Sequence, residues 1–466
     1  MVESDLEDSA THPFEPEEWI GKGRKLPTSP NDIPQGLAEY FHSLRDIPDE
    51  VMDQHYPKSG LDIETFLEYK APKCTFGLLK STAMDCFCLE EPHAAATQNT
   101  AFAGRSLPPL KFVEALNEHF RQRVLDNMHS IIDPAYPDLR LPLWIVRYWT
   151  KMWDIHDKQD QWRKALVWLG DRIHETASEE EQEIYREARR LTKTLRWSDE
   201  TNIPGADRNP IDIFAHYLSD NTMMNSYHIN MMFAHLSDRI EKDEAIDSLV
   251  AVETLRFWGE IDKANSAKSF EKTSGSAFLR RLEKRILDEE LDFLVFPVRM
   301  DSQMHWLTFK LDFKNCELAY GTKSFFLVKE SYVCFFQGDS LGHELSAPSE
   351  VTKKLEWWLK GRFKTKYRDL GNSLEHGRQN DWTDCGILSA NTAAHEIFED
   401  ELWTGKTKQF ERGKWFVTLI AKHIKEVSVV TNFINNYLPE SRWTRILIGS
   451  HTYYQSNQHL LEAIHQ

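Results

Sequence analysis

The stretch Gln379-Asn380-Asp381-Trp382-Thr383-Asp384-Cys385-Gly386 runs straight into an apolar pattern of helical spacing, and this junction constrains the chain more than any other segment. Ile387, Ala390, Ala394 and Ile397 fall on one face of a helix whose first turn begins at or just before Cys385. A thiol at a helix N-terminus meets unpaired backbone N–H groups and the positive end of the macrodipole, which favour its reactive thiolate. Gln379, on the loop leading into the helix, is placed to donate its side-chain amide to a developing oxyanion. Taken alone, Cys385 also fits a buried structural thiol, because free cysteine is among the most buried residue types.

The composition allows a large core. Of 466 residues, 41% are hydrophobic, 12% aromatic and 28% charged, the profile of a globular chain. Its length suits about three domains, or two unequal ones. A net charge of −17, from 56 basic and 73 acidic side chains, argues against general nucleic-acid binding, which needs basic patches to neutralise phosphate. No apolar run reaches the roughly 18 residues of a membrane span, and Met1–Glu18 is too acidic for a signal peptide. The expectation is an intracellular protein without a membrane partner. Lys22–Lys25 is too thin a basic run to separate nucleus from cytoplasm. The cysteines (Cys74, Cys86, Cys88, Cys316, Cys334 and Cys385) are too sparse for a disulfide scaffold and are expected to be reduced. Cys74, Cys86, Cys88 and His93 lack the paired spacing of a structural zinc site.

Taken in order, residues 1–35 are rich in acids and proline and read as a flexible acidic arm. Residues 36–204 read as a helical region of unknown role, with Leu110, Val113, Leu116, Phe120 and Val124 in one stripe. The tryptophans between Trp144 and Trp162 repeat at helical spacing and are assigned to core. Asn202–Pro210, with two prolines and a glycine, is the expected domain boundary. Residues 205–440 change grammar and are expected to form an α+β domain, with 441–466 as a C-terminal tail. Within it Leu307, Phe309, Leu311 and Phe313 alternate with Trp306, Thr308, Lys310 and Asp312, a strand that starts at His305 and is expected to pair with Cys316–Tyr320 as a hairpin.

A reactive cysteine needs a base, and the base needs an orienting partner. His305, Asp339 and Cys385 supply the three, with Gln379 and the Cys385 N–H as oxyanion donors. His305-Trp306, Asp339-Ser340, and Gln379 ahead of Asp384-Cys385-Gly386 resemble the ubiquitin-like-protein-specific (SUMO/sentrin) cysteine protease family, in its fungal mobile-element-associated type. Met223-Met224-Asn225-Ser226 with Ile229-Asn230 extends the resemblance. It implies a papain-like fold, a small mixed sheet covered by helices, after a mostly α-helical N-terminal domain. It also implies a peptidase that cleaves after the C-terminal glycine of a ubiquitin-like modifier, in processing or deconjugation. Trp306, Met223 and Asn225 are the implied substrate-binding residues, and no metal or organic cofactor is implied. Met223 stands where the family has tryptophan and Ser226 where it has aspartate.

Thr322–Gly338 reads as foreign to the hairpin. It is either a retained intron translated in frame or a true insertion forming an extra hairpin. Removing it gives a His305-to-Asp339 spacing of 17 residues (339 − 305 − 17). Two other functions fit the same residues. One is an acetyltransferase working through the same cysteine; the other is an inactive mobile-element relic whose helical half binds a partner. Neither the modifier nor the oligomeric state can be read from the residues.

Overall fold

The computed structural model describes residues 15–74, 82–94, 105–269, 276–288, 291–300, 305–314, 332–338, 349–363, 366–379, 381 and 383–437. The chain divides into two compact units at Arg163/Lys164. Among the described residues no helix is long and apolar enough to cross a membrane.

The first unit comprises α1 (Gln35–Ser43), α2 (Asp49–His55), α3 (Ile63–Glu68), α4 (Leu110–Leu125) and the start of α5 (Ile145–Glu175). It also contains a small antiparallel sheet, β1 (Phe87–Cys88), β2 (Ser130–Ile132) and β3 (Arg140–Pro142). The α4 stripe meets Leu37 and Phe41 of α1, Ile131 of β2 and Trp149 and Met152 of α5 in one core. Each such buried side chain contributes roughly 1.5–3 kcal/mol. Of the arm expected over residues 1–35, the described part begins at residue 15. Trp19, Ile20, Leu26 and Ile33 pack on that core, and the Gly21 N–H donates to Leu125 O at 2.8 Å. Four spaced apolar anchors are enough to dock a segment whose average composition is polar.

The second unit is built on a five-stranded sheet, β4 (Val250–Val252), β5 (Phe293–Met300), β6 (His305–Asp312), β7 (Tyr332–Gly338) and β8 (Lys366–Asn372), in that spatial order. The sheet is mixed: β4/β5 and β7/β8 are parallel, β5/β6 and β6/β7 antiparallel. Alternation along β6 decides which layer covers which face. Leu307, Phe309 and Leu311 meet α8 (Leu255–Ser266), α9 (Ser276–Leu287) and α10 (Ser349–Phe363) through Phe257, Leu282 and Trp358. Thr308 and Lys310, on the other face, meet α11 (Cys385–Phe398). Both faces are therefore covered, which explains why Trp306 and Thr308 are buried although they occupy the more polar register.

α12 (Lys408–Tyr437) packs on α6 (Glu179–Thr192), on the 3-10 helix Ile211–Tyr217 and on α7 (Ser226–Glu241). Asn202–Pro210 is a tight excursion in this unit, closed by the Thr201 N–H donating to Asn209 O at 2.7 Å and the Asn202 N–H to His423 Nδ1 at 3.0 Å.

The hairpin expectation is corrected by the register. The antiparallel neighbour of β6 beyond β5 is Tyr332–Gly338, with Thr308 opposite Gly338 and Asp312 opposite Cys334. Tyr332, Val333, Phe335 and Phe336 are good strand formers, and they close a central position in the sheet. The last seven residues of the segment read as foreign thus form a ladder strand. Cys316–Tyr320 lies outside the described residues.

Three histidines whose charged form is disfavoured by desolvation set an acid limit on this unit. Burial holds His228 down to about 3, and His235 and His423 down to about 4, against an ordinary value near 6.5. Each contributes stability that is present above the ordinary value and lost as pH falls through the folded one. Glu253, raised to about 7 chiefly by burial, acts with the opposite sign and offsets roughly one of the three. The urea midpoint is therefore expected to fall between pH 6.5 and pH 4.5; an equal or higher midpoint at pH 4.5 contradicts this balance.

Candidate active site

α11 opens at Cys385, where the apolar spacing puts its first turn. The thiol is 2% exposed and stands over the start of β6. The Trp306 backbone N–H is among the groups that act on it, so the strand end carrying the buried His305 lies near the helix end carrying Cys385. Two further contacts fix the alignment. Thr308 Oγ1 donates to Ser389 O at 2.7 Å, and Lys310 Nζ lies 2.5 Å from Glu396 Oε1, so β6 runs alongside α11 from its first turns toward its last.

The expectation of a favoured thiolate is corrected here. Burial pushes the Cys385 thiol up, the N–H groups of Trp306 and Gly386 pull it down, and the Asp384 charge adds to the rise. The net shift is upward. The helix-terminal N–H groups are present as expected, but desolvation of the anion outweighs them.

Gly386 is explained by close approach. A Cβ there would lie 2.7 Å from Met224 Cβ and 2.9 Å from Ile229 Cδ1, so a side chain would push the first turn of α11 off the start of α7. Met224 is also held from the sheet, because Trp306 Nε1 donates to its carbonyl at 3.0 Å. Of the residues expected to bind substrate, Trp306 is therefore buried with its indole N–H engaged, while Met223 is 36% exposed. The Asn225 side chain caps α7, accepting from Tyr227 N–H at 3.0 Å and His228 N–H at 3.3 Å. Losing such a cap costs about 1 kcal/mol.

The loop ahead of Cys385 is held by charge. Asp381 Oδ1 accepts from the Thr383 N–H at 2.8 Å, the Asp384 N–H at 3.1 Å and Gln379 Nε2 at 3.4 Å. Its Oδ2 lies 2.6 Å from Lys408 Nζ. Burial raises the Asp381 carboxyl, but these hydrogen bonds and Lys408 outweigh it and hold the group well below the usual carboxylate range. Asp384 occupies the N-cap position without capping, because its carboxylate is turned to α12. Arg412 Nε and Nη2 donate to Asp384 Oδ1 at 2.9 and 2.6 Å, and Lys408 Nζ lies 2.9 Å from Oδ2. The Arg412 side chain is fully buried. Its remaining donors go to His216 O at 3.2 Å and Thr222 O at 2.9 Å. Removing one partner of such a buried pair costs roughly 3–5 kcal/mol. Upstream, a Cβ on Gly377 would lie 2.5 Å from Trp403 O, so the chain approaching Gln379 is also pinned by close contact.

Asp339, Asn380 and Trp382 lie outside the described residues. Asp312 sits at the opposite end of β6 from His305. Sequence reasoning quoted Asp381, Asp384 and Gly386 within the motif without giving them a role, and missed Lys408 and Arg412. The one available signal was the i, i+4 pair Lys408/Arg412 on a helical stretch, which does not say what the cations face.

The close contact at Gly386 makes a direct prediction. Gly386→Ala is expected to destabilise the chain by about 1–3 kcal/mol through overpacking. Urea unfolding checks it, and a change within error shows that the first turn of α11 has room that the distances deny.

No protein-family model matches the chain, and no curated protein matches it. Solved structures do. The chain is similar to the SUMO protease Ulp1 with its catalytic cysteine oxidised to a sulfinic acid, at 17% identity and TM-score 0.34, over 50% of this chain and 93% of that one. It is also similar to the C-terminal Ulp1 protease domain in complex with Smt3, the yeast orthologue of SUMO, at 17% identity and TM-score 0.33, over 51% of this chain and 95% of that one.

Proposed function

We propose that the chain is a cysteine peptidase that cleaves after the C-terminal glycine of a ubiquitin-like modifier, with Cys385 as nucleophile and His305 as base. The observation that carries this reading is the seating of β6 on α11. Trp306 Nε1 donates to Met224 O at 3.0 Å, Gly386 is packed against that same Met224, and Thr308 Oγ1 donates to Ser389 O at 2.7 Å, which sets the residue after His305 beside the start of α11. Asp339 is proposed to orient His305. It follows Gly338, which pairs with Thr308 near the His305 end of β6, and that register supports the assignment. Gln379 and the Cys385 N–H are proposed as the oxyanion donors. Trp306, Met223 and Asn225 are proposed to border the substrate tail.

In this reading His305 takes the thiol proton as the sulfur attacks the glycine carbonyl carbon, and then gives it to the departing amine as the C–N bond breaks. Water attacks the resulting thioester, releasing the modifier carboxylate and restoring the thiol. A thiol raised by burial requires the base during attack, because little thiolate stands ready beforehand. Its enclosure also suits a tail of glycines, which carry no side chain to exclude.

The same burial favours a second reading, a catalytically inactive binding protein that retains the fold; Met223 and Ser226 in place of the family's tryptophan and aspartate agree with it. Vinyl-sulfone probes built on SUMO and on ubiquitin separate the two. The full chain is expected to label with one of them and Cys385→Ala to lose labelling, while Gln379→Ala is expected to cleave a modifier–amide substrate, where an oxyanion does form, roughly 10²-fold more slowly. A native chain that never labels, or a Cys385→Ala variant that labels equally, defeats the peptidase reading.

A further inference from the structure

The two cations of α12 do more than bury charge. Arg412 and Lys408 converge on Asp384, the residue before the nucleophile, and Lys408 also holds Asp381 on the loop that carries Gln379. The same two side chains reach the opposite bank of the site. Lys408 Nζ donates to Asp220 O at 3.3 Å, and Arg412 donates to Thr222 O at 2.9 Å and His216 O at 3.2 Å. That bank continues directly into Met223 and Met224, against which Gly386 is seated. Thr383 Oγ1 closes the loop-to-bank contact by donating to Asp220 O at 3.2 Å.

We propose that Arg412 and Lys408 are positioning residues for Cys385: they clamp Asp384 to the Asp220–Thr222 segment and so fix the first turn of α11, which carries the sulfur. This rests on the reading of Cys385 as the nucleophile, and it adds residues some two dozen positions downstream of it to the machinery. The geometry explains why a buried ion pair is kept where an apolar pair would cost less desolvation. A guanidinium has enough donors in a fixed fork to hold one carboxylate and two carbonyls from different segments together. A hydrophobic pair could fill the volume, but it could not fix the direction in which the Cys385 turn points.

The charged groups near the thiol are Asp384 and Asp381 on the preceding loop and Lys408 and Arg412 on α12, with His305 on β6 as the titratable neighbour. The Asp384 charge opposes the thiolate, and the two cations balance that charge. Weakening the clamp therefore acts twice against the thiolate, by unbalancing Asp384 and by loosening the first turn of α11, which carries the sulfur.

The test is the pH dependence of Cys385 alkylation by iodoacetamide in the full chain, followed by peptide mass mapping, with Cys74 and Cys88 as internal controls. In Arg412→Lys and in Lys408→Gln the midpoint for Cys385 is expected to move up by roughly one pH unit, with the control cysteines unchanged. A purely structural role would lower the thermal midpoint and leave the pH profile where it is. An unchanged or lowered Cys385 midpoint overturns the proposal. If Arg412→Lys does not fold, Lys408→Gln, whose side chain lies nearer the surface, decides alone. Because alkylation needs no modifier, failure here is distinct from failure of the peptidase reading, which the modifier probes report.

Discussion

The seam between β6 and α11 is the contact on which the rest of the second unit depends. A strand and a helix that run side by side can slide by a residue or a turn unless something fixes the register. Here Trp306 and Gly386 meeting at Met224, a buried threonine on a serine carbonyl and a lysine on a glutamate fix it at three levels. The opposite face of β6 is committed to the aromatic and aliphatic core shared with α8, α9 and α10. Sliding the strand by one residue would turn Leu307, Phe309 and Leu311 toward α11 and Thr308 toward Phe257 and Trp358, exchanging apolar burial for an unpaired hydroxyl.

Around that seam two requirements compete. Holding Cys385 rigidly means burying it, and burial disfavours the thiolate. The helix-terminal N–H groups recover part of that cost, and Lys408 and Arg412 offset the neighbouring carboxylate so that it does not add more. The result is a thiol well placed and protonated at rest, for which proton removal has to accompany attack. In the proposed reaction the histidine at the strand end is that proton acceptor.

Much of this was legible in the residues, for physical reasons that differ by element. The start of α11 at Cys385 could be read because an apolar stripe at helical spacing has few other interpretations. β6 could be read from its alternation, and the alternation even sorts its two covering layers. The partner of β6 could not. Both Cys316–Tyr320 and Tyr332–Gly338 offer strand-forming residues, and pairing is a choice between distant segments that local propensity does not make. The docked arm was hidden because Trp19, Ile20, Leu26 and Ile33 are diluted among prolines and acids. The clamp on Asp384 was hidden for the same long-range reason: its partners lie 24 and 28 residues away (408 − 384 and 412 − 384), and a lysine and an arginine on a helix are ordinarily solvated.

The dependence of a buried, protonated thiol on its neighbouring base is open to one decisive measurement. Labelling of Cys385 by the reactive modifier probe is followed across pH in the native chain and in His305→Ala. At pH 7 the variant should be slower by roughly 10²-fold or more, and it should recover part of that difference as pH rises and hydroxide ionises the thiol without help. Equal rates at pH 7 would contradict it, because they would mean that Cys385 reacts without the histidine that the β6–α11 seam brings to it.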